Sequence, residues 1–354
     1  MFSASTPQDT PKNAVIVTTG SSPYVAAYAW DDTKGFGAKY NSPSTLPIGG
    51  SSLARSPNGQ VILVTNSGAS KIEAYKWSVA FGFGAKYSDP STAVGIGLSQ
   101  AVFTKDGLAI VGVSIASPYI VSYVWSNTFG FGSRYANPSV LPSTFAVSVD
   151  TSYANDAVVL GLAGSPYIEA YRWNVFTGFG IKYSNPSPLL PFPVFTVKFT
   201  NDGLNVVTGG ISLSPSTSSG VYQWTYASGF GSFTAFSPLP TGNARALAVT
   251  ESSLTGYGLL VGTESAPYLY SYRGISNQST PTTVIPGAIS TPASLTFSSD
   301  TATTPSTHTY TAFAAHQNSP YISAYQWTKA SGFGTKYADP SILPSAAGTG
   351  VVFV

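Results

Sequence analysis

Ser165-Pro166-Tyr167-Ile168-Glu169-Ala170-Tyr171-Arg172-Trp173 is followed by Gly178-Phe179-Gly180-Ile181-Lys182-Tyr183 and then by Asn185-Pro186-Ser187. Near-copies of this run recur along the chain. Pro23-Tyr24 leads to Tyr28, Trp30, Gly35-Phe36-Gly37 and Lys39-Tyr40; Pro118-Tyr119 leads to Tyr123, Trp125 and Gly130-Phe131-Gly132; Pro320-Tyr321 leads to Tyr325, Trp327 and Gly332-Phe333-Gly334. The anchoring tryptophans are Trp30, Trp77, Trp125, Trp173, Trp224 and Trp327, and Arg273 stands in the sixth place. Seven copies about 48 residues apart are a repeat architecture, and the repeat has to be read before anything else.

Each copy reads as four short strands. In the fourth, Phe145–Val149 and Ala157–Gly161 are strands separated by a polar turn, and Gly164-Ser165-Pro166 turns into Tyr167–Trp173. Gly178-Phe179-Gly180 is read as a turn with a buried Phe, leading into Ile181-Lys182-Tyr183. Asn58-Gly59, Asp106-Gly107 and Asp202-Gly203 supply hairpin signals elsewhere. No sustained helical period occurs. Strand alternation puts Tyr167, Tyr171 and Trp173 on one face of the third strand and Ile168 and Ala170 on the other. A large aromatic face against a small aliphatic face suits sheets stacked in series. The fold class is therefore all-β: a seven-bladed β-propeller with four antiparallel strands per blade.

The repeat starts out of phase. Ala14-Val15-Ile16-Val17 matches a second strand, whereas Gly350-Val351-Val352-Phe353-Val354 matches a first strand. The C-terminal strand is thus expected to complete the N-terminal blade and close the ring without a free edge. Residues 1–11 read as a flexible tail and 12–354 as a single propeller domain. Seven copies of four strands, a Trp ending the third strand and an offset closure resemble the WD40-like seven-bladed propellers over roughly residues 12–354. The chain lacks that family's Gly-His and Trp-Asp dipeptides, with Asp31 after Trp30 as a partial match, so the resemblance implies the architecture. The repeated Gly-Phe-Gly-x-Lys-Tyr and Pro-Ser-x-Leu-Pro runs also look like propellers encoded by tailed bacteriophages.

Composition narrows the function. The chain has 354 residues, 43% hydrophobic but only 8% charged, with a net charge of +2. Nothing gathers nucleic acid electrostatically. It has no Cys, so disulfides and thiolate metal sites are excluded. Residues 1–11 lack the basic and apolar regions of a secretory signal, and no apolar run approaches the ~18 residues of a membrane span. No nucleic-acid partner and no membrane insertion are expected.

The Tyr and Trp of the third strand could stack sugars or bases, but one face of one strand reads as inter-blade core. Lys39, Lys86, Arg134, Lys182 and Lys336 recur on the outermost strand. They read as edge protection, with a basic ring for an anionic polymer as the functional alternative. Gly-Phe-Gly lacks the spacing of a phosphate loop. His308 and His316 have no acidic cluster near them, so no metal is expected, and no cofactor. The carboxylates fall mostly at turns. Irregular copies stand out: Ser212–Ser219 is inserted in the fifth, Arg273–Pro281 replaces the usual run in the sixth, and Asp300–Ser306 is extra in the seventh.

With no convergent catalytic set, the chain reads as a non-enzymatic structural or binding module. The first reading is a phage virion accessory protein, a capsid decoration or tail-associated propeller. It would be made in the host cytoplasm, exposed on the virion surface and partnered by other virion proteins. A lectin-like propeller binding a surface glycan outside the cell is the alternative, and a glycoside-active propeller enzyme the second. Loops alternate between the two ends of the disc. Those with Tyr24, Tyr119, Tyr167, Tyr268 and Tyr321 share one end with Ser139 and Ser187, and this end is expected to face a partner.

Overall fold

The computed structural model describes residues 12–66, 71–92, 97–213, 216–250, 258–273, 290–298, 309–329 and 331–354. The chain is a seven-bladed β-propeller. The fourth blade shows the plan: inner strand Ala146–Thr151, second strand Ala157–Leu162, third strand Ile168–Asn174 and outer strand Gly178–Lys182, hydrogen-bonded in that order and antiparallel. Five other blades are likewise four-stranded, and the sixth has three described strands, Ala244–Val249, Gly258–Thr263 and Leu269–Arg273. The seven inner strands touch in sequence around a central axis.

Closure follows the phase of the repeat. The C-terminal strand Gly348–Phe353 pairs with Asn13–Thr19, with Val15 opposite Phe353 and Val17 opposite Val351. Ala14 and Val354 exchange backbone hydrogen bonds of 2.7 and 2.9 Å beyond that register. The first blade therefore takes its inner strand from the far end of the chain, and the ring has no seam of unpaired backbone there.

The core is divided into seven apolar clusters, one at each blade interface. At the interface of blades 3 and 4, Val111, Val113 and Ile120 of blade 3 meet Tyr171 and Trp173 of blade 4. The small face of blade 4, with Ile168 and Ala170, then meets Tyr222 and Trp224 of blade 5. All six tryptophans are buried. Tyr167 departs from strand alternation, because it packs with Ile168 and Ala170 rather than with Tyr171. Its φ of 70° is left-handed, and a residue in that conformation breaks the two-residue period.

The Gly-Phe-Gly run opens the outer strand rather than forming the turn before it. Trp173 lies opposite Phe179 and Asn174 opposite Gly178, but Tyr171 lies opposite Lys182. The outer strand thus carries one extra residue, a β-bulge repeated in six blades. Gly178 sits at φ +80°, and a Cβ there would stand 2.9 Å from Cδ1 of Tyr135 in the preceding blade. Phe179 is half-buried, its ring edge-on to Trp173 at 5.1 Å. The first hairpins of blades 2 to 5 also depart from a two-residue Asn-Gly or Asp-Gly turn. Only the Gly has positive φ at Gly59, Gly107 and Gly203, and Asn155 takes that conformation in blade 4.

Candidate functional site

Two features could meet a partner or ligand: the two ends of the disc, and the axial channel between them. The end formed by the Ser-Pro-Tyr turns is stitched down. Tyr24, Tyr119, Tyr167, Tyr268 and Tyr321 all have φ of 64–70° and are half-buried. Each turn is closed by a backbone bond such as Tyr167 N to Gly164 O, 2.8 Å. The long loops running inward between blades are pinned by third-strand side chains. Buried Glu73 accepts a hydrogen bond from Ile48 N at 3.0 Å, and buried Glu169 accepts from the amide and hydroxyl of Ser143. Tyr28, Tyr123 and Tyr272 donate to the carbonyls of Ile342, Thr92 and Pro238. In blade 5 the inserted segment does this work: Ser212–Leu213 pairs with Ser216–Thr217, and Ser218 bonds both backbone groups of Phe192. Ser139 and Ser187 are exposed on these loops.

The recurring outer-strand lysines are held in place rather than presented as a ring. The bulge turns Lys182 to the face of Glu169, with 2.5 Å between ammonium and carboxylate. Lys86 bridges Glu73 at 2.9 Å and Asp89 at 2.7 Å, and Lys336 pairs with Asp339. Arg134 bonds Asn137. Three of the five cations are thus matched by carboxylates, which removes most of the field a basic ring would need. A lysine in such a pair also does more than block an edge: it compensates a buried carboxylate that would otherwise be strongly destabilising.

The opposite end, made by the first hairpins and the turns before Gly-Phe-Gly, carries an arc of bare aromatic rings. Phe81, Phe129 and Phe176, on successive blades 2, 3 and 4, are 90%, 84% and 90% exposed. Tyr226 continues the arc on blade 5, its ring covered on one face by Arg172 at 4.6 Å. Leu108 and Leu204 project from the first hairpins of the same end. The turns are locally braced, for example by Asn174 Oδ1 accepting from Phe176 N at 2.8 Å. A short polar side chain bonding its own backbone fixes such a turn and leaves the next residue outward. The signal in the sequence was Phe81-Gly82-Phe83 and Phe129-Gly130-Phe131, where the first blade has Lys34. The conspicuous repeat of the second Phe masked the first.

The channel encloses a cavity of about 600 Å³. Its described charged lining is Arg55, Lys105, Lys198 and Arg245 against Asp150. Arg245 is answered by Glu264 at 2.5 Å and lies over the ring of Phe195 at 3.7 Å. Asp150, buried on blade 4, accepts from Lys105 Nζ of blade 3 at 3.1 Å and from Phe199 N of blade 5 at 2.9 Å. Burial works to raise its carboxyl pKa, but Lys105 and Lys198 outweigh it and hold the group below the usual carboxylate value. Lys198 is pushed below the usual lysine value by burial, and by Lys105, against the attraction of Asp150. Among the described residues no three His, Cys, Asp or Glu side chains gather as a metal site would require. His316 is buried, with Nε2 3.0 Å from Ser323 Oγ. His308, the tail 1–11, residues 274–281 and Asp300–Ser306 lie outside the described residues, as does the side chain of Arg273.

No family model matches the chain. No curated protein matches it. Among solved structures it is similar to a putative 6-phosphogluconolactonase from Bacteroides uniformis, with a TM-score of 0.64 and 11% identity. The likeness covers 97% of this chain and 100% of that one. It shows the shared seven-bladed fold.

Proposed function

We propose that the chain is a non-enzymatic binding propeller that docks on a protein surface through the end carrying Phe81, Phe129 and Phe176. The supporting observation is their exposure on three adjacent blades. Aromatic rings held out of the core by braced turns gain nothing in water and much on an apolar partner surface. The propeller supplies a rigid platform, so little ordering entropy opposes docking. The finer reading is a virion accessory protein, a capsid decoration or tail-associated subunit on the particle surface, with capsid or tail proteins as partners. It rests on the phage-like repeat run and the low charge of the chain. Catalysis of the kind named for the Bacteroides uniformis protein is not part of this reading, since 11% identity carries the fold and no chemistry.

Coexpression with the products of the genes flanking its own, followed by particle sedimentation, tests this reading. The full chain is expected to travel with particles, and Phe81→Ser/Phe129→Ser/Phe176→Ser is expected to stay behind. Val140→Ser/Leu189→Ser/Ile342→Ser, at the Ser-Pro-Tyr end, is expected to behave as wild type. The reverse pattern would assign docking to that other end. Binding on a glycan array without particle association would favour the lectin reading.

A further inference from the structure

We infer that the half of the channel lined by Lys105, Asp150 and Lys198 binds a small oxyanion, the phosphate or carboxylate group of a ligand that enters from the Phe-bearing end. The first hairpin of blade 3 and the inner strands of blades 4 and 5 place a cation, a carboxylate and a cation side by side around the axis. Asp150 is committed on both sides, to Lys105 Nζ at 3.1 Å and to Phe199 N at 2.9 Å. Lys198 shares its field, yet among the described residues its ammonium forms no ion pair and no hydrogen bond. Arg55 adds further positive charge to the same wall. Lys198 is half-buried, and a partly desolvated cation without a matching acceptor carries a cost that is offset when an anion arrives.

The rest of the lining suits such a ligand. Tyr153 and Asn201 stand at the mouth, on the first hairpins of blades 4 and 5, and Tyr153 lies 5.4 Å from Lys105 Nζ. The neighbouring strand amides are already taken: Val197 N by Ser148 Oγ at 3.0 Å and Val149 N by Gln100 Oε1 at 2.8 Å. Charge from Lys198 and Lys105 is therefore what the wall offers an anion. At the other mouth Arg245 is held by Glu264, so the same chemistry is not repeated there. A cavity of about 600 Å³ admits a small molecule. The positive wall lies inside the channel, where partial burial strengthens a charge relative to the open surface.

Thermal melts of the full chain in inorganic phosphate, in acetate and in sodium chloride at matched ionic strength test the site. Phosphate or acetate at ten times its Kd is expected to raise Tm by about 2 °C over chloride, and the oxyanion that does so names the group preferred. Lys198→Met is expected to lose that rise, while Lys34→Met on an exposed turn keeps it. A wild-type Tm indifferent to both oxyanions, or an equal rise in Lys198→Met, would overturn the proposal. Should Lys198→Met not fold, acetylation of the native chain replaces it. Phosphate or acetate is expected to slow labelling of Lys198 several-fold relative to Lys34, and equal labelling with and without them would be decisive against the site.

Discussion

The blade interfaces fall into two kinds. At five of them the Tyr that follows the outer strand of one blade stands edge-on to the Trp of the next and donates its hydroxyl to that blade's turn. Tyr40 meets Trp77 and Val79 O, Tyr87 meets Trp125 and Asn127 O, and Tyr135 meets Trp173 and Val175 O; Tyr183 meets Trp224 and Tyr226 O, and Tyr337 meets Trp30 and Asp32 O. At the interface of blades 5 and 6 Thr234 holds the Tyr position, and Phe236, two residues further on, is stacked on Tyr272 at 5.0 Å with the planes 20° apart. At the next, Trp327 packs on Phe297 and Tyr310 of its own blade and donates across the interface to Ser271 Oγ at 2.7 Å. Arg273 stands opposite Gly258 as Arg172 stands opposite Ala157, so the register corrects the sequence expectation: the Trp place in the sixth copy is that of Gly274, and the clasping Tyr of the preceding blade has gone with the Trp.

Breaking the ring itself should outweigh anything done to one interface. Deletion of Gly350–Val354 removes the pairing with Ala14–Thr18 and uncovers Val15 and Val17. A loss of several kcal/mol is expected, and a truncated chain that melts like the full one would refute the closure. Within the clasped arc, Trp173→Ala should cost about 3–5 kcal/mol in denaturant unfolding. Lys182→Met should cost about as much, because it strands the buried carboxylate of Glu169. Were Lys182 merely guarding an edge, that variant would unfold at the wild-type midpoint.

The unclasped arc holds a pH-dependent element. Burial lowers His316 from 6.5 to about 4, with the backbone of Asn318 acting the other way. The unfolded chain then binds the extra proton between those values, so stability falls as pH drops from about 6.5 toward 4, by up to about 1.4 kcal/mol per pH unit. Unfolding of His316→Gln beside wild type across that range isolates the contribution, and parallel curves would exclude it. Back in the clasped arc, Gly178→Ala forces a Cβ into a left-handed residue and against Tyr135, at about 1–2 kcal/mol. Tyr135→Phe deletes the 2.5 Å bond to Val175 O and should cost about 0.5–1.5 kcal/mol. Phe236 packs across the interface of blades 5 and 6 without a hydroxyl, so a cost of zero would show that the ring alone suffices at both kinds of interface.

Much of this was legible in the sequence. A repeat of four strands with large and small residues alternating can bury its faces only against neighbours of the same kind, which settles the stacking and the burial of the tryptophans. The phase difference between Ala14–Val17 and Val351–Val354 told how the ring shuts. The outer strand was less legible. Its bulge places Phe179 and Lys182 on one face although they are three residues apart, which strict alternation forbids. The left-handed tyrosines hid in the same way, because φ leaves no trace in a pattern of apolar and polar letters.

Local rules act over a few residues, so the sequence by itself determined the strands, their number, the blade count and the offset closure. Tertiary structure alone decided which charges meet. Lys105, Asp150 and Lys198 belong to three different blades, and Glu169 meets Ser143 across a loop of the preceding interface. It also decided which aromatics stay outside, since Phe81 and Phe83 are two letters apart and differ only in that one crosses to the core and the other crowns a turn. Those outcomes depend on how blades are placed around an axis, and that placement is a property of the closed ring rather than of any one copy.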